Sequence, residues 1–199
     1  MKIIDLKRLL ITLLITVLTL SCTQSADKKI DQHIKKGVEY LNSLKYREAV
    51  IEFKNAIQID PKNAKGHYNM GIAYLKIGGI SNLRLAFQEL STTVELDPNI
   101  MDAQLKIGEF YLLSGNLDKA IEKAELVISK EANNIDAKIL LANSLTGKKE
   151  FTKALTMMEE IIKGNPDSIK SYMAAAIIHI ANNDMESAEN MYRKAIGIK

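Results

Sequence analysis

Residues 46–79 read YREAVIEFKNAIQIDPKNAKGHYNMGIAYLKIGG, and this stretch decides the fold. Apolar residues recur at helical spacing on both sides of the Asp60-Pro61 pair. Proline cannot continue a helix, but it is tolerated in the first turn of the next one. The stretch therefore predicts two helices that are joined by a short turn.

The same pattern returns along most of the chain. Alanines recur at equivalent places, and a second small residue lies 12 positions upstream of each, apart from three extra residues in one unit. Protein interiors are too densely packed to absorb larger side chains where two helices cross closely. We interpret these ten positions as repeat-packing residues: Gly37, Ala49, Gly71, Ala86, Gly108, Ala120, Ala142, Ala154, Ala176 and Ala188.

This pattern resembles the tetratricopeptide repeat, a helix–turn–helix unit with a period of about 34 residues. The resemblance covers the five consecutive segments 30–63, 64–100, 101–134, 135–168 and 169–199. It implies an all-α fold, an α-solenoid of five helix pairs that forms a right-handed superhelix. The first helix of each pair is expected to line the concave face.

The resemblance also assigns a groove for a partner. Fixed positions of the first helices would line it, and most of these positions are apolar, which is typical of an interaction surface. We expect a partner peptide or helix to lie along them. The alternative is that some of these side chains pack between adjacent repeats. The groove residues are Ile34, Tyr68, Ile72, Leu105, Glu109, Ile139, Asn143 and Met173.

One group of tetratricopeptide proteins holds the C-terminal carboxylate of chaperones with lysines and asparagines in the groove. In this chain only Asn69 fits that pattern, and Asp102 would repel a carboxylate. We therefore do not expect this activity. The positions concerned are Ile34, Val38, Asn69, Asp102 and Lys106.

Residues 1–22 resemble a bacterial lipoprotein signal. Positive charge from Lys2, Lys7 and Arg8 precedes LLITLLITVLTL at residues 9–20, which is too short to span a bilayer and suits a signal peptide. A small residue and then Cys22 follow, although Thr19 replaces the leucine usual in such signals. The resemblance implies removal of residues 1–21, acylation of Cys22 and a polar tether over residues 22–29.

Two other interpretations of this segment remain open. It is also consistent with an ordinary secretory signal that is cleaved nearby, or with an uncleaved membrane anchor. If Cys22 is acylated, the non-acidic Thr23 after it favours the outer membrane over the inner one. The expected location is then the envelope of a Gram-negative bacterium, lipid-anchored and facing the periplasm.

Charge and cysteine content exclude two classes of protein. Without Lys2, Lys7, Arg8 and Asp5 of the leader, the 27 basic and 24 acidic residues become 24 and 23, which gives no electrostatic footprint for nucleic acid. Cys22 is the single cysteine, so an intrachain disulfide is impossible.

Motifs of catalysis are not found. The sequence has no phosphate-binding loop, GxSxG elbow or HExxH helix, and Asp60-Pro61 and Asp97-Pro98 fit turns between repeats. His33 and His67 occupy equivalent places but lack an evident acidic partner, so we expect them to replace an aromatic residue and to hold no metal. His179 is expected to pack. We predict no enzyme activity and no cofactor.

Two irregularities stand out. Repeat 2 carries three extra residues within GGISNLRLAF, residues 78–87, which would either start its second helix early with Ser81 or Asn82 as the cap, or enlarge a loop. The sequence ends at KAIGIK without the polar helix that usually covers a terminal repeat. We expect a partner, a second copy or further repeats to cover this end.

These features predict a membrane-anchored scaffold for protein–protein interaction that assists assembly or export of a pilus, an outer-membrane protein or an exopolysaccharide. Residues 78–98, GGISNLRLAFQELSTTVELDP, are similar to lipoproteins of exosortase and exopolysaccharide systems. The alternatives are an envelope enzyme or glycan-acting protein with an unrecognised site, and a structural spacer.

Overall fold

The structure is a computed structural model and describes residues 26–198. Over these residues the chain is helical and forms no strand, so the predicted all-α fold is confirmed. The helices are α1 (26–42), α2 (Tyr46–Ile59), α3 (Ala64–Ile77), α4 (Ile80–Leu96), α5 (Met101–Leu113), α6 (Leu117–Lys130), α7 (Ile135–Gly147), α8 (Phe151–Gly164), α9 (Ile169–Ala181) and α10 (Met185–Gly197).

The helices pair as the repeats predict, and they form two compact units. Unit 1 contains α1–α4 and unit 2 contains α5–α10. Within unit 2 each helix packs against the next one, and the first helices α5, α7 and α9 also contact each other in that order. Helix α7, for example, packs against the second helices α6 and α8 and against the first helices α5 and α9.

The ten repeat-packing residues are all buried. A methyl group on Gly37 would overlap the ring of Phe53, which is fully buried in the core of unit 1. A Cβ atom on Gly71 would lie 2.8 Å from Leu90 Cγ. These glycines let the two helices of a pair approach until the large side chain of the second helix reaches the backbone of the first.

Side-chain hydrogen bonds cap the start of three of the first helices, α3, α7 and α9. The side chains of Asn63, Asn134 and Ser168 accept hydrogen bonds from the backbone N–H three residues on, at 2.7, 2.9 and 3.3 Å. In the preceding turns, the carboxylates of Asp60 and Asp97 accept from the N–H two residues on, at 2.9 and 3.0 Å. These two Asp-Pro pairs therefore form turns between repeats, as predicted.

The turn inside four of the helix pairs contains one residue in the left-handed region. These residues are Leu44, Gly115, Lys149 and Asn183, with φ of 60°, 75°, 65° and 60°. Only glycine adopts this conformation without a steric cost to a side chain. Three of the four turns thus carry local backbone strain.

The insertion in repeat 2 lengthens helix α4. This helix has 17 residues, whereas the other second helices have 13 or 14. It starts at Ile80, so Ser81 and Asn82 lie inside it and the prediction that either one caps it is wrong. The reason is that Gly78 and Gly79 both take positive φ. They complete the turn between α3 and α4 before Ser81 is reached, so the helix begins at Ile80. Asn82 Nδ2 instead donates back to Gly78 O at 2.8 Å.

Helix α1 begins earlier than the sequence indicates. Residues 26–29, assigned to the polar tether, are already helical. Ile30 and Ile34 are buried in the core of unit 1, and the polar residues before them continue the same helix with exposed side chains at 27–29. The predicted signal at 1–21, Cys22 and the tether residues 22–25 lie outside the described residues. No helix within residues 26–198 combines the length and apolar character needed to cross a bilayer.

Candidate interaction surface

Three of the predicted groove residues lie in the core. Ile34, Leu105 and Ile139 are only 4, 5 and 6% exposed. Ile34 faces Gly66 on α3, Leu105 clusters with residues of α7, and Ile139 clusters with residues of α9. Each is therefore covered by the first helix of the following repeat. These three residues therefore pack between adjacent repeats, which is the alternative noted above. None of them is accessible to a partner in this conformation.

The accessible side chains lie one helical turn further along the first helices. We call those of unit 2 the first-helix row: Glu109, Asn143 and Ile177. Ile72 is the equivalent residue on α3 in unit 1. Ile72, Glu109 and Asn143 are half-buried, and Ile177 is 51% exposed. In unit 2 the row therefore changes from a carboxylate to an amide and then to an aliphatic side chain. The surface is more polar than the sequence suggested.

The two remaining groove residues are also accessible. Tyr68 is half-buried on α3, one turn before Ile72. Met173 is 47% exposed on α9, one turn before Ile177. Each pair places two large side chains on one stripe of its helix, because residues four apart are neighbours on a helix surface.

Ion pairs occupy part of this surface in unit 2. Lys106 Nζ donates to both carboxylate oxygens of Glu109, at 2.9 and 2.8 Å. Lys170 on α9 is hydrogen-bonded to Asp136 on α7 and so joins two neighbouring first helices. In unit 1, Asn69 Nδ2 donates to Lys65 O of its own helix at 2.8 Å. Asn69 and Lys106, which were compared above with residues that hold a chaperone carboxylate, thus already form hydrogen bonds within the chain.

A histidine–glutamate pair joins the two helices of repeat 1. The Nδ1 atom of His33 lies 2.7 Å from Glu52 Oε2, and Lys36 Nζ lies 2.5 Å from the other oxygen. Burial by itself would raise the pKa of Glu52, but hydrogen bonds from Lys36 and His33 and their charges outweigh it and lower this pKa below its usual range. The buried carboxylate is thereby held in its charged form.

Repeat 2 contains the equivalent pair. His67 Nδ1 lies 2.6 Å from Glu89 Oε2, and His67 Nε2 lies 3.1 Å from the carbonyl oxygen of Pro61. Both ring nitrogens thus face acceptors. Burial, and then the charge of Glu89, raises the pKa of the neighbouring Tyr74.

The prediction that these histidines lack acidic partners is therefore wrong. The signal was present in the sequence, because Glu52 and Glu89 each stand three residues after a repeat-packing alanine. In repeat 3 Gln104 takes the place of the histidine. Its Nε2 donates to Pro98 O at 3.0 Å, which corresponds to the contact of His67 Nε2 with Pro61 O. Each pair joins the two helices of its own repeat.

His179 stands later in its first helix, at the position that Tyr40 and Tyr74 hold in the first two repeats. Its Nδ1 lies 3.2 Å from Asp184 Oδ2, without hydrogen-bond alignment, and its side chain is 16% exposed. Asp184 also caps α10, since its carboxylate accepts from Ser187 N–H at 3.0 Å. Among residues 26–198, no three His, Cys, Asp or Glu side chains come together as a metal site would require.

Helix pairs with this packing and spacing define an α-helical repeat protein. Family models described as "TPR repeat" and "Tetratricopeptide repeat" match residues 40–78, 102–134 and 169–199, together just over half of the sequence. The chain belongs to the tetratricopeptide repeat family. Solenoids of this kind present extended binding surfaces, and the chain is a scaffold for protein–protein interaction.

Solved structures share the fold at low sequence identity. MamA (residue 41 to the end) from Desulfovibrio magneticus RS-1 superposes with a TM-score of 0.71 at 19% identity, covering 85% of this chain and 94% of that one. YrrB, described as a TPR protein with an unusual peptide-binding site, gives a TM-score of 0.66 at 16% identity and covers 84% of both chains. At this identity the likeness shows the fold alone.

Curated relatives are longer proteins. The Hsp70-Hsp90 organizing protein of Triticum aestivum is 26% identical over 107 residues, which are 54% of this chain and 18% of that protein. The DnaJ homolog subfamily C member 7 homolog of Dictyostelium discoideum is 25% identical over 184 residues, 83% of this chain and 33% of that protein. The chain spans a third or less of these relatives.

Proposed function

We propose that this chain is a lipid-anchored interaction scaffold of a Gram-negative cell envelope. Acylated Cys22 would hold it at a membrane, the outer one in preference to the inner one, with the repeats facing the periplasm. A partner segment would bind along the exposed side of the first helices. The scaffold would assist assembly or export of an envelope or extracellular structure, such as a pilus, an outer-membrane protein or an exopolysaccharide, without catalysing a reaction itself.

The binding proposal rests on one observation: the first helices α5 and α7 of unit 2 each have a buried aliphatic side chain that is followed, one turn later, by an accessible side chain. Aliphatic side chains such as Leu105 and Ile139 are buried and fix the spacing between neighbouring first helices. The next turn leaves Glu109, Asn143 and Ile177 accessible on the same helices. A rigid support below polar and apolar contact groups is what a peptide-binding surface requires. An extended or helical segment with both apolar and hydrogen-bonding groups fits this row best.

Capture of a chaperone C-terminus is a weaker candidate. The relative named above as an Hsp70-Hsp90 organizing protein suggests it. However, Lys106 already donates to both oxygens of Glu109, and Ile34 is buried. A partner carboxylate would have to displace Glu109 and would then meet its negative charge.

Catalysis is also less well supported than binding. The strongest titratable groups are His33–Glu52 and His67–Glu89. The Glu52 and Glu89 side chains are 9% and 14% exposed, and both are hydrogen-bonded across their own helix pairs. This arrangement favours a structural role for these residues.

The lipid anchor can be tested by mass. Each buried CH₂ group of an acyl chain contributes about 0.8 kcal/mol to membrane binding, so two or three chains on Cys22 would make a firm anchor. The wild-type chain and the Cys22→Ala variant should be extracted from membranes and weighed by mass spectrometry. We expect the wild type to have the mass of residues 22–199 plus the acyl groups, and the variant to carry no acyl groups. Masses that differ only by the side chain would contradict the anchor.

The binding surface can be tested with matched variants. The double variant Asn143→Glu and Ile177→Glu changes two accessible residues of the first-helix row in unit 2. The control, Ile51→Glu and Ser129→Glu, changes an exposed apolar and an exposed polar residue on the second helices α2 and α6. In a pull-down from envelope extract, the first variant should lose a partner that the wild type and the control retain. Circular dichroism should show equal helicity. An unchanged partner list would contradict the proposal.

A further inference from the structure

An apolar depression of about 430 Å³ opens on the last helix pair, α9 and α10. We call its apolar lining the terminal socket: Ile180, Met185, Ala188, Tyr192 and Ile196. Met185 and Ile196 are 60% and 84% exposed. This surface is distinct from the first-helix row of the proposed function.

The chain itself contains a filled version of this socket. The four socket residues on α10 correspond to residues of α8 that lie one repeat earlier in the sequence. The α8 residues belong to one hydrophobic cluster, in which Met158 is 1% exposed. They are Phe151, Ala154, Met158 and Ile162.

Helix α9 fills the socket of repeat 4. It contributes Ala174, Ala175 and Ile178 to the cluster, all buried. The two alanines allow close approach of the helix backbone, and the isoleucine supplies the bulk that fills the remaining space. A helix with two adjacent small residues, and an aliphatic residue four positions after the first, is therefore the shape this kind of socket accepts.

We propose that the terminal socket binds an amphipathic α-helix of a partner protein that presents this same small–small–aliphatic pattern. The partner helix would lie on α9 and α10 as α9 lies on α7 and α8. Its apolar stripe would cover Met185, Tyr192 and Ile196, and its polar side would face water, as in other helix-in-groove complexes.

Two charged residues, Glu189 and Arg193, lie at the rim of the terminal socket and are consistent with a partner that binds reversibly. Where α8 has Leu155, α10 has Glu189, whose carboxylate accepts hydrogen bonds from Arg193. The side chains of Arg193 and Glu189 are 76% and 64% exposed. They surround the apolar floor with a hydrated border, which is typical of surfaces that bind and release a partner.

A second copy of the chain is a poorer occupant. At the places that correspond to Ala174, Ala175 and Ile178, helix α1 carries Lys35, Lys36 and Glu39, all exposed. Stacking one copy on another head to tail would bury three charges against an apolar floor, which is unfavourable. The opposite arrangement, socket against socket, would offer only Ala188 as a small residue and not the two adjacent alanines that let α9 approach closely.

The test uses a peptide of α9 as the probe. A fluorescent peptide with the sequence of residues 168–182, SIKSYMAAAIIHIAN, is titrated with the full chain in detergent and followed by anisotropy. The variant Ile196→Asp places a charge in the socket, and Leu113→Asp is the matched control, since the two side chains are 84% and 81% exposed. We expect the wild type and Leu113→Asp to bind, and Ile196→Asp to bind at least about tenfold more weakly.

Three results would overturn the inference. The wild type fails to bind the peptide; Ile196→Asp binds as tightly as the wild type; or sedimentation shows a dimer that Ile196→Asp dissociates, which assigns the socket to a second copy. The Asn143→Glu and Ile177→Glu double variant should bind the peptide like the wild type. This last measurement separates failure of the socket from failure of the first-helix row.

Discussion

His67 and Glu89 stand on the two helices of one repeat with Nδ1 and Oε2 2.6 Å apart, and His33 and Glu52 repeat the same contact at 2.7 Å. The first pair is 22 residues apart and the second 19. The difference equals the three-residue insertion, which adds a turn at the start of α4 and leaves the contact in place. The pair is therefore part of how the first two repeats are held together.

We expect the pair in repeat 2 to show coupled stability. Removing only His67 leaves the largely buried Glu89 carboxylate without its main partner, which is more costly than removing both groups. A double-mutant cycle with His67→Ala and Glu89→Gln, measured by urea unfolding at pH 6, should give a coupling energy of about 1–2 kcal/mol. Additive effects of the two changes would show that the contact contributes nothing.

Acid should selectively remove the contribution of Glu52. Its pKa is lowered in the folded chain by Lys36 and His33 against the effect of burial. A carboxyl with a lowered pKa stabilises the fold at pH values above its unfolded pKa, and this stabilisation is lost as the pH falls through the folded pKa. We expect Glu52→Gln to lower the free energy of unfolding by about 1–2 kcal/mol at pH 7, and by progressively less as the pH is lowered toward 3.

The exposed pair of Glu189 and Arg193 supplies the control for that experiment. Both side chains are largely exposed, so Glu189→Gln should change stability by less than about 0.5 kcal/mol at either pH. If Glu52→Gln behaved like Glu189→Gln at pH 7, the structural role assigned to the buried carboxylate would be wrong.

Close helix crossing at Gly37 should make this position intolerant of a methyl group. The added Cβ would overlap the buried ring of Phe53, so Gly37→Ala should destabilise the chain by about 1–3 kcal/mol. At Gly164 a Cβ meets nothing within 4 Å, and α8 already extends to this residue. Gly164→Ala should therefore stabilise the chain slightly, by up to about 1 kcal/mol. Thermal unfolding of both variants checks the contrast, and equal effects would refute it.

Substitutions at Leu44 and Gly115, which both have positive φ, should change stability in opposite directions. Leu44 has φ of 60° and is 72% exposed, so Leu44→Gly should relieve strain and raise stability by about 0.5–1 kcal/mol. Gly115 has φ of 75° in the corresponding turn of repeat 3, and Gly115→Leu should destabilise by about 1–2 kcal/mol. Chemical denaturation gives both values. A loss of stability in Leu44→Gly would show that its side chain makes a contact that outweighs the strain.

Most of the fold could be predicted because its main determinants recur. The regular repeat period and the small residues at ten fixed places are visible in one sequence, and they determine the helix pairs. The start of α4 could not be placed, because the positive φ of Gly78 and Gly79 is a conformational choice that glycine permits but does not impose.

The interaction surface was predicted less well. Ile34, Leu105 and Ile139 are apolar at groove positions, and sequence alone does not tell a groove residue from one covered by the next helix. That depends on how closely consecutive first helices pack. The contacts of His33 and His67 were missed for a related reason, since each depends on which residue of the second helix faces the first.

The most direct test of the central claim, that a partner lies along the first helices, is photo-crosslinking in cells. A photoreactive residue is placed singly at Asn143 and at Ile177, and as controls at Ile51 and Ser129. We predict that positions 143 and 177 both crosslink to the same partner, identified by mass spectrometry, and that the control positions do not. Crosslinks to that partner from positions 51 and 129 alone, or no crosslink from positions 143 and 177, would contradict the claim.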